Sequence, residues 1–147
     1  MRRMTRAALY GAAGMLSEIL TTGVRSYGRD QNLRLTGNTY LWMFPIYGSA
    51  AYLLEPAHDR VRHWPWWRRG LLWTGGMFAV EAASGAALRS LTGEVPWDYS
   101  RPRGVKPEPR HWRGLVRPSY APLWFTVGLA AERLHDLLDR VELTPRS

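Results

Sequence analysis

Four long runs of hydrophobic residues alternate with polar, proline-containing segments along the chain. The segment 91–117, between the last two runs, is dense in prolines and charges and has no sustained period, which predicts a long surface loop. The pattern therefore predicts an all-α protein, a single domain over 1–147 with four helices in up-down-up-down order. Helical spacing of the apolar positions places these helices at about residues 5–24, 39–60, 69–90 and 119–141.

The lengths of these runs suit a lipid bilayer. Residues 35–54 carry no charge, and the other three runs are first interrupted by Glu18, Glu81 and Glu132. Crossing a bilayer takes about 20 mostly apolar residues, and one or two polar residues can be hidden inside a bundle. We therefore predict an integral membrane bundle. The mean hydropathy of −0.31 is typical of soluble proteins, so a soluble or half-embedded bundle is the alternative.

Charge and composition narrow the function classes. The formal net charge is +8, the basic residues are 19 arginines and one lysine, and there are eight tryptophans. Arginines and tryptophans flank the apolar runs, as in residues 64–69, which favours a membrane surface over nucleic acid as the partner. Cysteine is absent, which excludes disulfides, thiolate metal sites and cysteine nucleophiles. We expect the lipid bilayer to be a partner and nucleic acid not to be one.

The pattern Glu-x-x-His-Asp occurs twice, at residues 55–59 and 132–136. Residues three apart lie on one helical face, so each Glu and His can reach one ion. The two remaining predicted helices each carry one central glutamate. The order Glu, Glu-x-x-His, Glu, Glu-x-x-His is the ligand set of a carboxylate-bridged two-metal site in a four-helix bundle. The predicted metal ligands are Glu18, Glu55, His58, Glu81, Glu132 and His135.

The charge balance favours two divalent ions beside the four glutamates, and oxygen and imidazole ligands favour two iron or manganese ions. Asp59 and Asp136 are predicted to accept a hydrogen bond from a histidine on a neighbouring helix and so to orient it. Tyr47, Tyr52 and Tyr99 are predicted redox or proton partners. The first functional hypothesis is a membrane oxidase or desaturase that activates oxygen and acts on a lipid or quinone-like substrate.

The same glutamates have a second interpretation. Glutamates in an apolar interior can pair with arginines, carry protons or stay protonated, and His58 and His135 would then lie in the headgroup layer. Pro56 fits the first turn of a short new helix, which would make Glu55 a helix cap. The second hypothesis is a non-enzymatic membrane component, a permease-like subunit or a scaffold. The arginines considered as partners are Arg60, Arg89, Arg133 and Arg140.

A series of short motifs spans most of the chain, and the string Pro96-Trp97-Asp98-Tyr99-Ser100 is the most specific of them. The series resembles the transmembrane protein 229 family, whose bacterial relatives are catalogued as type IV ABC-transporter permeases. The resemblance implies a small four-helix protein of a bacterial inner membrane, with a partner subunit or as a homo-oligomer. In those relatives the glutamates of the second and fourth helices are not followed by histidine at the third position, so a metal site depends on His58 and His135. The other landmarks are Gly11 and Glu18, residues 37–39 with Trp42, residues 46–48, Glu81 with Gly85, Leu88 and Arg89, Gly114 with Leu115, Trp124 and Glu132.

Overall fold

The computed structural model describes residues 2–31, 33–100 and 112–143. These residues form five α-helices and one 3₁₀ turn, and within them there is no strand beyond an isolated bridge between Trp112 and Val116. The predicted all-α class is confirmed. The second of the four predicted helices is divided into two, which accounts for the fifth.

The first helix, α1, covers Arg3–Asp30 and is longer than predicted. The prediction ended at residue 24 because the apolar run ends there, whereas the backbone hydrogen bonds continue through the polar residues that follow. The helix ends at Gln31, which adopts a left-handed conformation with φ 51° and donates its N–H to the carbonyl of Tyr27. The end of the apolar pattern is therefore not the end of the helix.

The second predicted helix consists of α2, Met43–Gly48, and α3, Ala50–Val61. The division lies at Ser49, and the helix continues through Pro45 without a break. Pro45 is the third residue of α2, where a backbone N–H would have no partner within the helix, so its missing donor is tolerated. Pro56 lies inside α3, so Glu55 is an internal helical residue and not a cap.

The remaining helices are α4, Trp66–Thr92, and α5, Ala121–Leu143, and the 3₁₀ turn Pro118–Tyr120 leads directly into α5. A glycine ends α4, because Gly93 has φ 76° and bonds its N–H to the carbonyl of Arg89. By length and composition α4 could cross a membrane, and it is the one helix in the described ranges to pass that test. The core helix of a soluble protein passes the same test, so this observation alone is weak evidence.

The chain divides into two compact units, Met1–Pro56 and Ala57–Ser147. In the first unit α1 packs on α2. A Cβ atom at Gly14 would overlap the ring of Tyr47, and one at Gly11 would lie 2.8 Å from the carbonyl oxygen of Phe44. Glycine is needed at both positions because the two helices approach each other so closely.

In the second unit α4 packs on α5 through glycines on both helices. A Cβ atom at Gly70 would overlap the ring of Phe125, and one at Gly128 would overlap the side chain of Trp73. Each unit therefore contains a helix pair in close contact.

Parts of the predicted surface loop belong to the core of the second unit. Leu115 is 2% exposed and fills the space beside Gly85 of α4. The indole Nε1 of Trp97 donates to the carbonyl of Leu115 at 3.1 Å. Residues 101–111 of that predicted loop lie outside the described residues.

Candidate functional site

Glu132, in the second Glu-x-x-His-Asp copy, accepts hydrogen bonds from an arginine and a tryptophan. It is 3% exposed. The Nε of Arg69 donates to both carboxylate oxygens, at 2.8 Å and 3.1 Å, and the Nε1 of Trp73 donates to Oε1 at 2.7 Å. Both donors come from α4, one helical turn apart. The guanidinium balances the charge of this buried carboxylate, and the indole adds a neutral donor.

Glu55, in the first copy, has an equivalent arginine. The Nε of Arg6, on α1, donates to Glu55 Oε1 at 2.7 Å. Arg6 is 4% exposed and Glu55 is 7% exposed, so both partners of this ion pair are buried. Neither Arg6 nor Arg69 is among the arginines expected from the sequence as partners of the buried glutamates.

The two histidines lie together in the second unit, and each is 3% exposed. Their ring centroids are 5.5 Å apart in an edge-to-face arrangement. Nε2 of His58 is 3.6 Å from Asp136, and Nε2 of His135 is 3.2 Å from Asp59. Each copy of the motif thus directs its histidine towards the aspartate of the other copy. All four side chains belong to the second unit.

The imidazole of His58 forms no hydrogen bond with the described residues. Its Nδ1 lies 3.0 Å from Glu132 Oε1 but outside hydrogen-bonding geometry, and both ring nitrogens are buried without a hydrogen-bond partner among the described residues. The ring also lies 6.5 Å from that of Trp73. The structure therefore places His58 beside the Arg69–Glu132 pair without a direct hydrogen bond to it.

One further arginine joins the two aspartates at the protein surface. Arg62, in the turn after α3, donates to Asp136 at 2.7 Å and to Asp59 at 3.2 Å. These hydrogen bonds, the one with Asp136 first, raise the pKa of Arg62 above its ordinary value. Half of the Arg62 side chain is exposed, so we expect this link to contribute little to stability.

The remaining two glutamates accept hydrogen bonds from hydroxyl groups. Oε2 of Glu18 accepts from Thr39 at 2.8 Å and from Tyr47 at 3.2 Å. Oε1 of Glu81 accepts from Tyr99 at 2.9 Å. Both glutamates are half-buried. Tyr47 and Tyr99 thus contact predicted site residues, whereas Tyr52 is 47% exposed on α3.

The string 96–100 holds Tyr99 in place for its bond to Glu81. The backbone N–H of Tyr99 donates to the carbonyl of Gly114 at 2.9 Å, and Asp98 accepts from the backbone and the hydroxyl of Ser100. Gly114 has φ 74°, and a Cβ atom there would overlap Asp98. The Trp97 bond to Leu115 fixes the same segment, so this motif is a structural support for Tyr99.

The predicted two-metal ligand set is distributed over both units. Glu18 and Glu55 belong to the first, and the other four predicted ligands belong to the second. Within 2–31, 33–100 and 112–143, no group of three or more histidine, aspartate or glutamate side chains could hold a metal ion. At Glu55 and Glu132, guanidinium N–H groups donate to carboxylate oxygens that a metal ion would need. The arrangement does not fit a pair of metal ions, and metal binding stays a prediction.

The arginine partners follow a fixed shift along the sequence. Arg6 and Glu18 of α1 recur as Arg69 and Glu81 of α4, 63 positions later in both cases (6 to 69, 18 to 81). The helices themselves begin with that shift, at residues 3 and 66. In the second helix of each pair the shift is 77 positions, and it relates Pro45 to Pro122, Glu55 to Glu132, His58 to His135 and Asp59 to Asp136.

The contacts are repeated as well as the residues. Arg6 bonds Glu55 in the first unit as Arg69 bonds Glu132 in the second. A Cβ atom at Gly48 would lie 2.9 Å from the carbonyl oxygen of Ala7, and at the shifted positions Phe125 lies against Gly70. The chain therefore contains a structural repeat of a helix pair. Its sequence signal is a shift of 63 positions in the first helix of each pair and of 77 positions in the second.

No protein-family model matches the chain, and no solved structure matches it. Kinship with the transmembrane protein 229 family therefore stays a prediction from the motifs.

Proposed function

We propose that this protein is a non-enzymatic, permease-like component of a membrane, in which arginine-paired glutamates form the fixed polar core of two repeated helix pairs. The observation that carries the proposal is the repetition of one buried ion pair, Arg6 with Glu55 and Arg69 with Glu132. An arginine guanidinium keeps its proton in proteins, so each pair holds a permanent positive charge against its carboxylate. The carboxylates are therefore already neutralised without metal.

The surface of the helices supports a membrane setting. In the described part of the chain, more large hydrophobic side chains are exposed than buried. They occur on every long helix, for example Leu20 on α1, Leu53 on α3, Leu71 on α4 and Leu137 on α5, each more than half exposed. Only 22% of the most apolar part of α4 is buried, whereas a soluble core helix would be mostly buried. Exposed apolar surface on this scale favours contact with lipid.

The repeat supports a permease-like role more than a catalytic one. Many membrane transporters are built from internal structural repeats, with ionisable side chains near the repeat interface. Ionisable residues within membrane segments are rare and are usually functional. The family resemblance points in the same direction, because the bacterial relatives are catalogued as permeases. Oxidation or desaturation of a lipid or quinone-like substrate has less support, since two of its predicted iron or manganese ligands, Glu55 and Glu132, accept hydrogen bonds from arginine.

Two measurements on one preparation test the proposal. The full chain is produced in bacteria grown with excess iron and manganese, and the membranes are extracted with alkaline carbonate. We expect the protein to stay in the membrane pellet. Its metal content after purification should be far below one ion per chain and the same as that of the His58→Ala/His135→Ala variant. Two ions per chain that this variant loses would overturn the proposal, as would release of the protein by carbonate.

A further inference from the structure

The turn after α3 and the first turn of α4 form one exposed surface that is both aromatic and basic. Every residue from 62 to 68 is exposed, and residues 60–68 contain three arginines and no aspartate or glutamate. We call Trp64, Trp66, Trp67 and Arg68 the tryptophan–arginine surface. The most exposed of its rings, Trp66, is 62% exposed. Large apolar side chains that are exposed together mark an interaction surface.

Arg68 supplies the cation of this surface that is free to bind an anion. Arg62 and Arg69 already donate to carboxylates. Arg68 forms no ion pair with the described residues, and its guanidinium lies 5.0 Å from the ring centre of Trp67. The first turn of α4 contains no acidic residue that could compete for it. A guanidinium in this state offers its N–H groups in the fork geometry that fits the oxygens of a phosphate group.

The internal repeat shows that the helix pair can form without this surface. The shift of 63 positions relates Arg69 to Arg6, and both arginines bind a buried glutamate. By the same shift residues 66–68 correspond to residues 3–5, which are an arginine, a methionine and a threonine. The first unit therefore has the buried ion pair but no tryptophan at these positions. The tryptophans of the second unit thus have a purpose other than the repeated packing.

The surface lies at the end of the apolar part of α4. Residues 70–88 of this helix contain one charged residue, Glu81. These nineteen residues extend about 28 Å at 1.5 Å per residue, and the hydrocarbon core of a bilayer is about 30 Å thick. With residues 70–88 in the hydrocarbon core, Trp66, Trp67 and Arg68 lie in the headgroup layer. Indole rings and basic side chains are both favoured in that layer.

We infer that the tryptophan–arginine surface binds anionic phospholipid, with the guanidinium of Arg68 against the headgroup phosphate and the indoles at the boundary between headgroups and acyl chains. A free phosphate ion would leave the indoles in water, so a lipid is the occupant that fits both parts of the surface. A zwitterionic lipid balances its phosphate with a cation of its own, so net negative charge decides between lipids. This inference rests on the proposed membrane role and adds the class of lipid.

The test uses the absence of cysteine to place a single fluorescent label beside the surface. The exposed His63 is replaced, His63→Cys, and labelled with bimane, whose emission depends on its surroundings. The full chain is held in micelles of an uncharged detergent, and phosphatidylglycerol or phosphatidylcholine with identical acyl chains is titrated in. We expect half of the emission change at a mole fraction of phosphatidylglycerol about fivefold lower than that of phosphatidylcholine, the attraction of one arginine to an anionic surface.

Two variants of the labelled chain locate the preference. Arg68→Gln should remove it, so that both lipids act at the mole fraction of phosphatidylcholine. Arg3→Gln is the matched control and should keep it, because Arg3 is exposed at the start of α1 and the variant loses the same formal charge. An equal loss in the two variants would overturn the inference, since attraction would then follow the net charge of the chain.

Two other results would also refute the inference. One is an equal response of the starting chain to the two lipids. The other is reversal of the phosphatidylglycerol response by sodium phosphate beyond that caused by sodium chloride of the same ionic strength, which would show a site for free phosphate. Metal content and carbonate extraction on the same preparation test the proposed function separately, because neither depends on the charge of the lipid headgroup.

Discussion

Replacement of Arg69 by glutamine should be one of the most destabilising single changes in the chain. The guanidinium donates to both oxygens of Glu132, and its NH1 also donates to the carbonyls of Arg62 and Trp64, at 3.3 Å and 2.7 Å. Glu132 is 3% exposed, and after the change the indole N–H of Trp73 is the one hydrogen-bond donor that remains to it among the described residues. Removal of one partner from a buried ion pair costs about 3–5 kcal/mol, because it leaves a buried charge without compensation.

Arg68, the preceding residue, provides the matched control. It is exposed, and its guanidinium lies 5.0 Å from the ring centre of Trp67. Arg68→Gln should therefore cost less than about 1 kcal/mol, the range of an exposed cation–π contact. The free energy of unfolding is measured for both variants in detergent micelles by circular dichroism, from midpoints and slopes of denaturant titrations. Both variants lose the same formal charge, so a difference between them reports the buried pair.

A double variant tests whether the cost comes from the unpaired charge. Arg69→Gln combined with Glu132→Gln removes both charges and keeps an acceptor for the Trp73 indole. Its destabilisation should be smaller than the sum of the single changes by about 1–3 kcal/mol, the coupling expected for residues in one network. Equal losses in Arg69→Gln and Arg68→Gln, or strict additivity in the double variant, would refute the assignment of this pair as the polar core.

Four further changes are predicted in the same unfolding assay. Gly128→Ala should destabilise the protein by about 1–3 kcal/mol, because the added Cβ atom overlaps Trp73. Gly75→Ala, which has open space around it, should stabilise α4 by about 0.5–1 kcal/mol. The two variants would not differ in sign if the helices were not in close contact. Trp73→Phe should cost about 1–2 kcal/mol through the lost N–H to a buried carboxylate, and no loss would mean that the indole bond is not formed. Arg6→Gln should match Arg69→Gln within about 1 kcal/mol, since the two pairs are repeats, and a much smaller cost would contradict the equivalence.

The helices were predictable because their signal is local. Each predicted helix depends on apolar spacing over about 20 residues, and each is present in the structure. The boundaries were less accurate, since α1 continues past Val24 on backbone hydrogen bonds that no side-chain pattern displays. Pro45 lies inside α2 and does not end it, because a proline breaks a helix only where its missing N–H is needed. Its position relative to the helix start decided the outcome.

The pairing of the glutamates was not predictable from local sequence. Arg6 and Glu55 are 49 positions apart, and Arg69 and Glu132 are 63 apart. The arginines considered from the sequence were mostly near the glutamates along the chain, where helical spacing brings side chains together. The true partners come from the opposite helix of each pair, and the packing that aligns them depends on glycines such as Gly70. Only the comparison of the two repeats would have selected Arg6 and Arg69 in advance.

The repeat also changes the meaning of the two histidines. In a two-metal site both imidazoles would turn towards a shared ion, each with its own glutamate. Here His58 turns towards Asp136 and His135 turns towards Asp59, so each histidine faces the aspartate of the other motif copy. Both contacts lie within the second unit, because His58 and Asp59 follow Pro56 in the chain. The motif Glu-x-x-His-Asp then serves two purposes within a single helical turn: its glutamate anchors the arginine of its own helix pair, and its histidine and aspartate join the two motif copies.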